Sequence, residues 1–214
     1  MRALLAVLAM VIVVPSLSLA QEKSGKFEIR GYYGTGFADA KDLNVATSFN
    51  GFRATGSNNI SSETSYGGGI LFRLGSKVKL ALSYENTAAD NVKGNGGYTI
   101  AHNEGWADLH FMLARGKVGY LYLGAGGGYP VGSTVTVKST GTSFTPTAQV
   151  GYRGVLGFGA MLGNHFTLFV EGMYQVMDSG AIGTLANGIK TNATTVANLN
   201  LTGPKAVAGL GLVF

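Results

Sequence analysis

Asp108 and His110 stand two residues apart. On a strand that spacing puts both side chains on one face. Ser83 falls on the matching face of the strand before. Together they supply a nucleophile, a base and an orienting acid, the set that acyl chemistry on a lipid needs. The plainer reading of the same residues is an internal hydrogen-bond cluster. The other two histidines do not extend the set, because His102 is expected in a loop and His165 at a turn. Three scattered histidines make no metal signature. The chain has no cysteine, so thiolate metal sites and disulfides are excluded. No catalytic residue, metal or cofactor is assigned.

A second set of charged residues shares a face with these three. Glu28, Arg30, Arg73, Lys79, Glu85, Asp108, Arg153, Glu171 and Lys205 each alternate with apolar neighbours. Four are acids and five are bases, so they can pair. Buried charges need such partners. A mixed-charge network inside a closed structure follows.

The elements that hold these residues are strands of period two. Lys26–Phe37 sets Phe27, Ile29 and Tyr33 against Glu28, Arg30 and Tyr32. Thr64–Leu74 sets Tyr66, Ile70, Phe72 and Leu74 against Arg73. Lys77–Thr87 sets Val78, Leu80, Leu82 and Tyr84 against Lys79, Ala81, Ser83 and Glu85. A fourth strand, about Asn103 to Ala114, opposes Leu109 and Phe111 to Asp108 and His110. Lys117–Tyr129 is apolar on both faces. Its Leu121, Leu123 and Ala125 are expected outward, because Gly124, Gly126 and Gly128 leave room inside. Thr147–Leu162, His165–Val176 and about Asn200 to Phe214 complete the set, with Pro204 near the start of the last.

Glycine is the commonest punctuation, with 34 among 214 residues, which argues against a helical protein. Three connections are tight, at Gly75-Ser76, Arg115-Gly116 and Gly163-Asn164. Four are long: Ala38–Glu63, Ala88–His102, Pro130–Pro146 and Met177–Leu199. Long and short alternate throughout. An eight-stranded antiparallel up-and-down transmembrane β-barrel has that layout, with short periplasmic turns and long outer loops. Both ends of the mature chain would then be periplasmic. The long loops are rich in Asn, Thr, Ser and Gly, as in Thr191–Thr195, and are expected to be exposed without a core.

The first twenty residues stand apart. Arg2, the apolar run Ala3–Val14, and Ser18-Leu19-Ala20 before Gln21 read as a cleavable signal peptide. An uncleaved anchor is the alternative, but the run is short for a spanning helix. Residues 21–214 then form one barrel domain. The net charge is +5 without a basic cluster, and no nucleic-acid motif occurs, so no nucleic-acid partner is expected. Lys41, Arg53, Lys93, Lys138 and Lys190 are scattered loop bases.

A soluble barrel would turn its apolar stripes inward. Here the other stripes are glycine-rich and carry charges of both signs, which suits a filled lumen. The aromatics lie near strand ends: Phe27, Phe166 and Phe214 at one rim, and Tyr33, Tyr66, Tyr84, Tyr129 and Tyr174 toward the other. That is the pair of girdles expected at a bilayer's interfaces.

The final strand, with Ala206, Ala208, Leu210, Leu212 and terminal Phe214, resembles the assembly signal of Gram-negative outer-membrane proteins. The run Tyr122–Tyr129 resembles the small OmpA-like, OmpX-like and opacity-like barrel superfamily. The resemblance implies delivery to the barrel assembly machinery and an exterior facing outer-membrane lipids and lipopolysaccharide. Unlike full-length OmpA-like proteins, the chain ends at its last strand, so no peptidoglycan-binding domain is expected. Neither motif is diagnostic of a function; the first reading of the architecture is a non-enzymatic barrel serving envelope integrity or surface interaction through its loops, with an extracellular ligand unidentified. A narrow pore or small-molecule transporter is the second reading, since glycines on the fifth, sixth and last strands would leave a path. A lipid-modifying enzyme is the third.

Overall fold

The computed structural model describes residues 27–37, 62–90, 97–116, 118–184 and 187–214. The expected signal segment, and Lys41, Arg53 and Lys93, lie outside the described residues.

Eight long strands follow in order: β1 Phe27–Gly36, β2 Glu63–Arg73, β3 Val78–Asp90, β4 Tyr98–Arg115, β5 Gly119–Val137, β6 Gly151–Leu162, β7 Phe166–Val176 and β8 Gly203–Val213. Each pairs antiparallel with the next, and β8 returns to β1 with Leu212 opposite Ile29 and Ala208 opposite Tyr33. The sheet is therefore closed and has no free edge among its eight staves. The tight turns lie between β2 and β3, β4 and β5, and β6 and β7. Gly163 turns the last of these at φ 71°, a conformation that L side chains rarely adopt.

Strand parity decides what faces where. Phe27, Ile29, Tyr33, Tyr66, Ile70, Phe72, Leu82, Leu109, Phe111, Leu121, Leu123, Leu156, Phe166, Leu168, Leu210, Leu212 and Phe214 are all exposed. Their neighbours Glu28, Arg30, Lys79, Glu85, Asp108, Arg153, Glu171 and Lys205 are all buried. The barrel is apolar outside and charged inside, the reverse of a soluble barrel. Lys205, Val207 and Gly211 of β8 face in, while Ala206, Ala208, Leu210, Leu212 and Phe214 face out.

Three expectations about the loops are corrected. First, β4 begins at Tyr98 and β3 runs to Asp90, so most of the expected Ala88–His102 loop is strand. His102 is fully buried on β4, not in a loop. Its face, Tyr98, Ile100, His102, Glu104, alternates with Thr99, Ala101 and Asn103 just as a strand should.

Second, β5 runs to Val137 through the expected Pro130–Pro146 loop. Pro130 pairs with Glu104 and Gly132 with Asn103, so Val131 is an extra residue, a β-bulge. The bulge reverses the parity of β5. Below it even-numbered side chains such as Tyr120 and Tyr122 point inward; above it Ser133, Val135 and Val137 do. A proline, which has no amide to donate, is tolerated at such an irregularity.

Third, the Met177–Leu199 segment does build a core. Asp178–Ala181 pairs with Asn198–Asn200, and Lys190–Asn192 with Thr195–Val196. Ile182 N–H donates to Ala197 (2.8 Å) and Leu201 N–H to Met177 (2.8 Å). Met177, Ile182, Ile189, Ala197, Leu199 and Leu201 pack with Tyr98, Ile100, Val135 and Val137 into one buried apolar cluster. Its polar composition hid six apolar residues spaced to meet the barrel mouth. Only Asn192–Thr195 stays fully exposed within the Thr191–Thr195 tract.

Candidate functional site

Among the described residues, chemistry-bearing side chains converge in the interior of the barrel. It is layered along the barrel axis.

The lowest layer centres on Arg30. Its Nε donates to Glu28 (2.8 Å) and its Nη1 to Glu171 (2.9 Å). The same guanidinium reaches the hydroxyls of Tyr122 (3.2 Å) and Tyr120 (3.0 Å), and lies 4.3 Å from the Phe169 ring centroid. Tyr122 also donates to Glu171. Lys79 stands 3.9 Å from Glu28 and 4.5 Å from the Tyr120 ring.

The middle layer centres on Arg153. Two of its nitrogens hold both oxygens of Asp108, the Nε contact at 2.9 Å. It donates to Ser83 (3.1 Å), lies 3.8 Å from Glu85, and stacks 4.3 Å from the Trp106 ring. Bidentate pairing of this kind fixes direction as well as charge.

The upper layer centres on Lys205, which holds Glu63 at 3.0 Å and also contacts Glu85. Above it Ser133 bonds His102 Nδ1, and His102 Nε2 lies 3.3 Å from Glu104. His102 is three residues beyond Gly105, outside the apolar band. Burial lowers its pKa to about 4, with Lys205 adding to the shift and Glu85 opposing it. It is neutral at physiological pH.

Eight of the nine expected network residues meet in these layers. Arg73, the ninth, is half-buried beside the β2–β3 turn, opposite Lys79 in register. Glu63 and Glu104 belong to the buried set but were not anticipated, since both fell in or beside expected loops. Counting them, six buried carboxylates among the described residues, Glu28, Glu63, Glu85, Glu104, Asp108 and Glu171, surround four buried bases, Arg30, Lys79, Arg153 and Lys205. Tyr120 and Tyr122 were also missed as phenol donors. Their signal was present: Gly157 and Gly159 stand opposite them in register.

The Ser83, His110 and Asp108 set does not assemble into a relay. Ser83 and Asp108 are both taken by Arg153, while His110 stacks on Tyr122 at 4.8 Å and its Nδ1 meets no partner. Among the described residues no group of acids and histidines could hold a metal.

The inner glycines do not open a path. A Cβ at Gly124 would strike His110, at Gly126 Asp108, at Gly128 Trp106, at Gly157 Tyr122, at Gly159 Tyr120 and at Gly209 Phe169. Each glycine is a socket for a large neighbour. A void of about 20 Å³ lies beside Arg30, Tyr32, Asp108 and Glu171, room for about one water.

On the outside, Tyr33 stands opposite Tyr66, and Tyr84 and Tyr129 flank Gly105 from either side. Tyr174 and the unanticipated Tyr152 continue this row across β6 and β7, where Tyr174 faces Gly154 and Tyr152 faces Val176. At the opposite rim Phe27 stacks on Phe214 at 4.9 Å, and Phe166 pairs with Leu212.

No protein-family model matches the chain, and no curated protein does. Solved structures do. Neisserial surface protein A aligns with a TM-score of 0.58 at 15% identity, covering 88% of this chain and 97% of that one. The outer membrane protein OprG from Pseudomonas aeruginosa aligns with 0.58 at 19% identity, covering 92% and 99%. The N-terminal β-barrel domain of Pseudomonas aeruginosa OprF aligns with 0.51 at 15% identity, covering 89% and 98%. The shared property is the fold, a closed eight-stranded antiparallel barrel, and that fold supports an outer-membrane location.

Proposed function

We propose that this chain is a non-enzymatic outer-membrane barrel that strengthens the envelope and presents its loop end to the exterior. The observation that carries the reading is the filled lumen. Arg30, Arg153 and Lys205 each bind carboxylates across the barrel, the inner glycines are occupied by aromatic rings, and the apolar cluster under Met177–Leu201 closes the top. A route for ions would have to break all of these at once. The three extended strands β3, β4 and β5 carry the hairpin tip around Lys138 well clear of the tyrosine row, a stiff support for surface contacts.

In this reading the tyrosine row and the rim of Phe27, Phe166 and Phe214 sit at the two bilayer interfaces. Both ends of the mature barrel lie in the periplasm. Outer-membrane lipids and lipopolysaccharide surround the apolar band. The outward stripe Ala206, Ala208, Leu210, Leu212 and Phe214 is what the barrel assembly machinery reads.

The test is single-channel recording of the folded protein in a planar bilayer. No reproducible conductance steps are expected. Regular steps that vanish in an Arg153→Met variant would overturn the closed-lumen reading.

A further inference from the structure

The outer wall holds a depression that the proposed function does not use. It is shallow and wide open, lies across β2 to β5, and is lined by Leu82, Tyr84, Gly105, Ala107, Gly127 and Tyr129 among others. Two of its glycines, Gly105 and Gly127, do the opposite of the inner ones. A Cβ at Gly105 would meet only Val131 Cγ1 at 3.9 Å, and one at Gly127 only the Gly151 carbonyl at 3.7 Å. Nothing in the barrel fills the space above them. Tyr84 and Tyr129 bracket Gly105 in register, so the upper end is marked by two phenols and the floor is bare backbone.

We infer that this depression seats one acyl chain of a bilayer lipid. The inference rests on the membrane reading of the outer face. Three observations choose this occupant. The depression is continuous with the exposed apolar band of Leu82, Leu109 and Leu123, so hydrocarbon is what surrounds it. Its lining lacks a charged side chain, so it offers nothing to an ionic ligand. Its phenols stand at the top only, where a lipid ester would accept hydrogen bonds, while the glycine floor lets a flexible chain approach the backbone. A rigid second barrel would span such a hollow rather than fill it.

The chain carries its own reporter. Trp106 is the sole tryptophan. Its indole packs against Gly128 on the inner side of the wall, so only a glycine-rich backbone separates it from the depression. The experiment reconstitutes the folded protein in phosphatidylcholine vesicles whose acyl chains carry bromine, a quencher of indole emission, and reads Trp106 fluorescence. Marked quenching is expected for the natural chain. Filling the floor with Gly105→Leu and Gly127→Leu together should relieve much of it, and the milder Gly105→Ala should relieve less. Gly172→Leu, at an outward glycine of β7 with open space above it, should quench like the natural chain.

Equal quenching in the natural and filled proteins would overturn the seat and leave the membrane reading intact. No quenching in any form would overturn both. Native mass spectrometry of the detergent-extracted protein supplies the second readout, should the double variant fail to fold. One retained phosphatidylcholine per chain is expected, in a smaller fraction of molecules for Gly105→Ala. A mass of two chains instead would make a second copy the occupant and overturn the proposal.

Discussion

Strand β4 passes through two regions of opposite design. Around Asp108 and His110 its inner face is polar, and its outer face shows Leu109 and Phe111. Seven or more residues higher, the inner face shows Ile100 and Tyr98, and the outer face Ala101 and Thr99. The reversal falls near Gly105, between Tyr84 and Tyr129. On the proposed membrane reading, apolar surroundings below it drive polar groups inside to pair, and water above it restores the ordinary rule of an apolar interior facing polar surroundings. One barrel therefore has two cores, joined at the Lys205 layer.

The two cores should fail differently. The largest effect is expected in the lower one. Arg153→Met leaves Asp108 buried without its partner, a loss of about 3–5 kcal/mol, read as a lower urea midpoint for unfolding from vesicles. An unchanged midpoint would mean the ion pairs hold nothing together.

Leu199→Ala empties part of the upper core, at about 2–5 kcal/mol. Its effect should stay local. Protease should cut the Met177–Leu201 segment while the remaining barrel keeps its heat-dependent gel mobility. Loss of the whole barrel at once would merge the two cores into one.

Gly157→Ala pushes a methyl into the Tyr122 ring. A cost of about 1–3 kcal/mol is expected from overpacking, largely removed when Tyr122→Leu is combined with it. Additive losses in the double variant would refute the socket.

The smallest effect is a pH dependence. His102, faced by Glu104, Glu85 and Lys205, is held neutral by burial with a pKa of about 4, against about 6.5 when unfolded. The unfolded chain takes up a proton first as pH falls. The His102 share of stability is thus lost from about 6.5 downward and that loss levels off near 4, opposed by its neighbour Glu104, whose carboxyl is pushed up to about 7 by burial. His102→Gln should remove that share, seen as a urea midpoint that gains on the natural chain's as pH falls from about 6.5 to about 4.

Much of the lower region was legible in the sequence, because a lipid-facing stripe and a charged stripe alternate at period two. Residues such as Arg30, Asp108 and Arg153 declare themselves by being charged amid apolar neighbours. The upper region was not legible for two physical reasons. The Val131 bulge reverses parity, so Val135 and Val137 fall out of step with Leu121 and Leu123. The Met177–Leu201 segment buries isolated apolar residues set among threonines and asparagines, and their common face exists only once the chain folds back. His102 was lost with them, as were Glu63 and Glu104.

Residue-resolved amide exchange of the folded barrel in detergent micelles tests the two-core account most directly. Ile100, Val135, Ile182 and Leu201 lie beyond the tyrosine row, yet their amides should be protected nearly as well as those of Leu109 and Val155. Asn192 to Thr194 should exchange fast. If the amides above the tyrosine row exchange as fast as that tip, there is no upper core, and the account is contradicted.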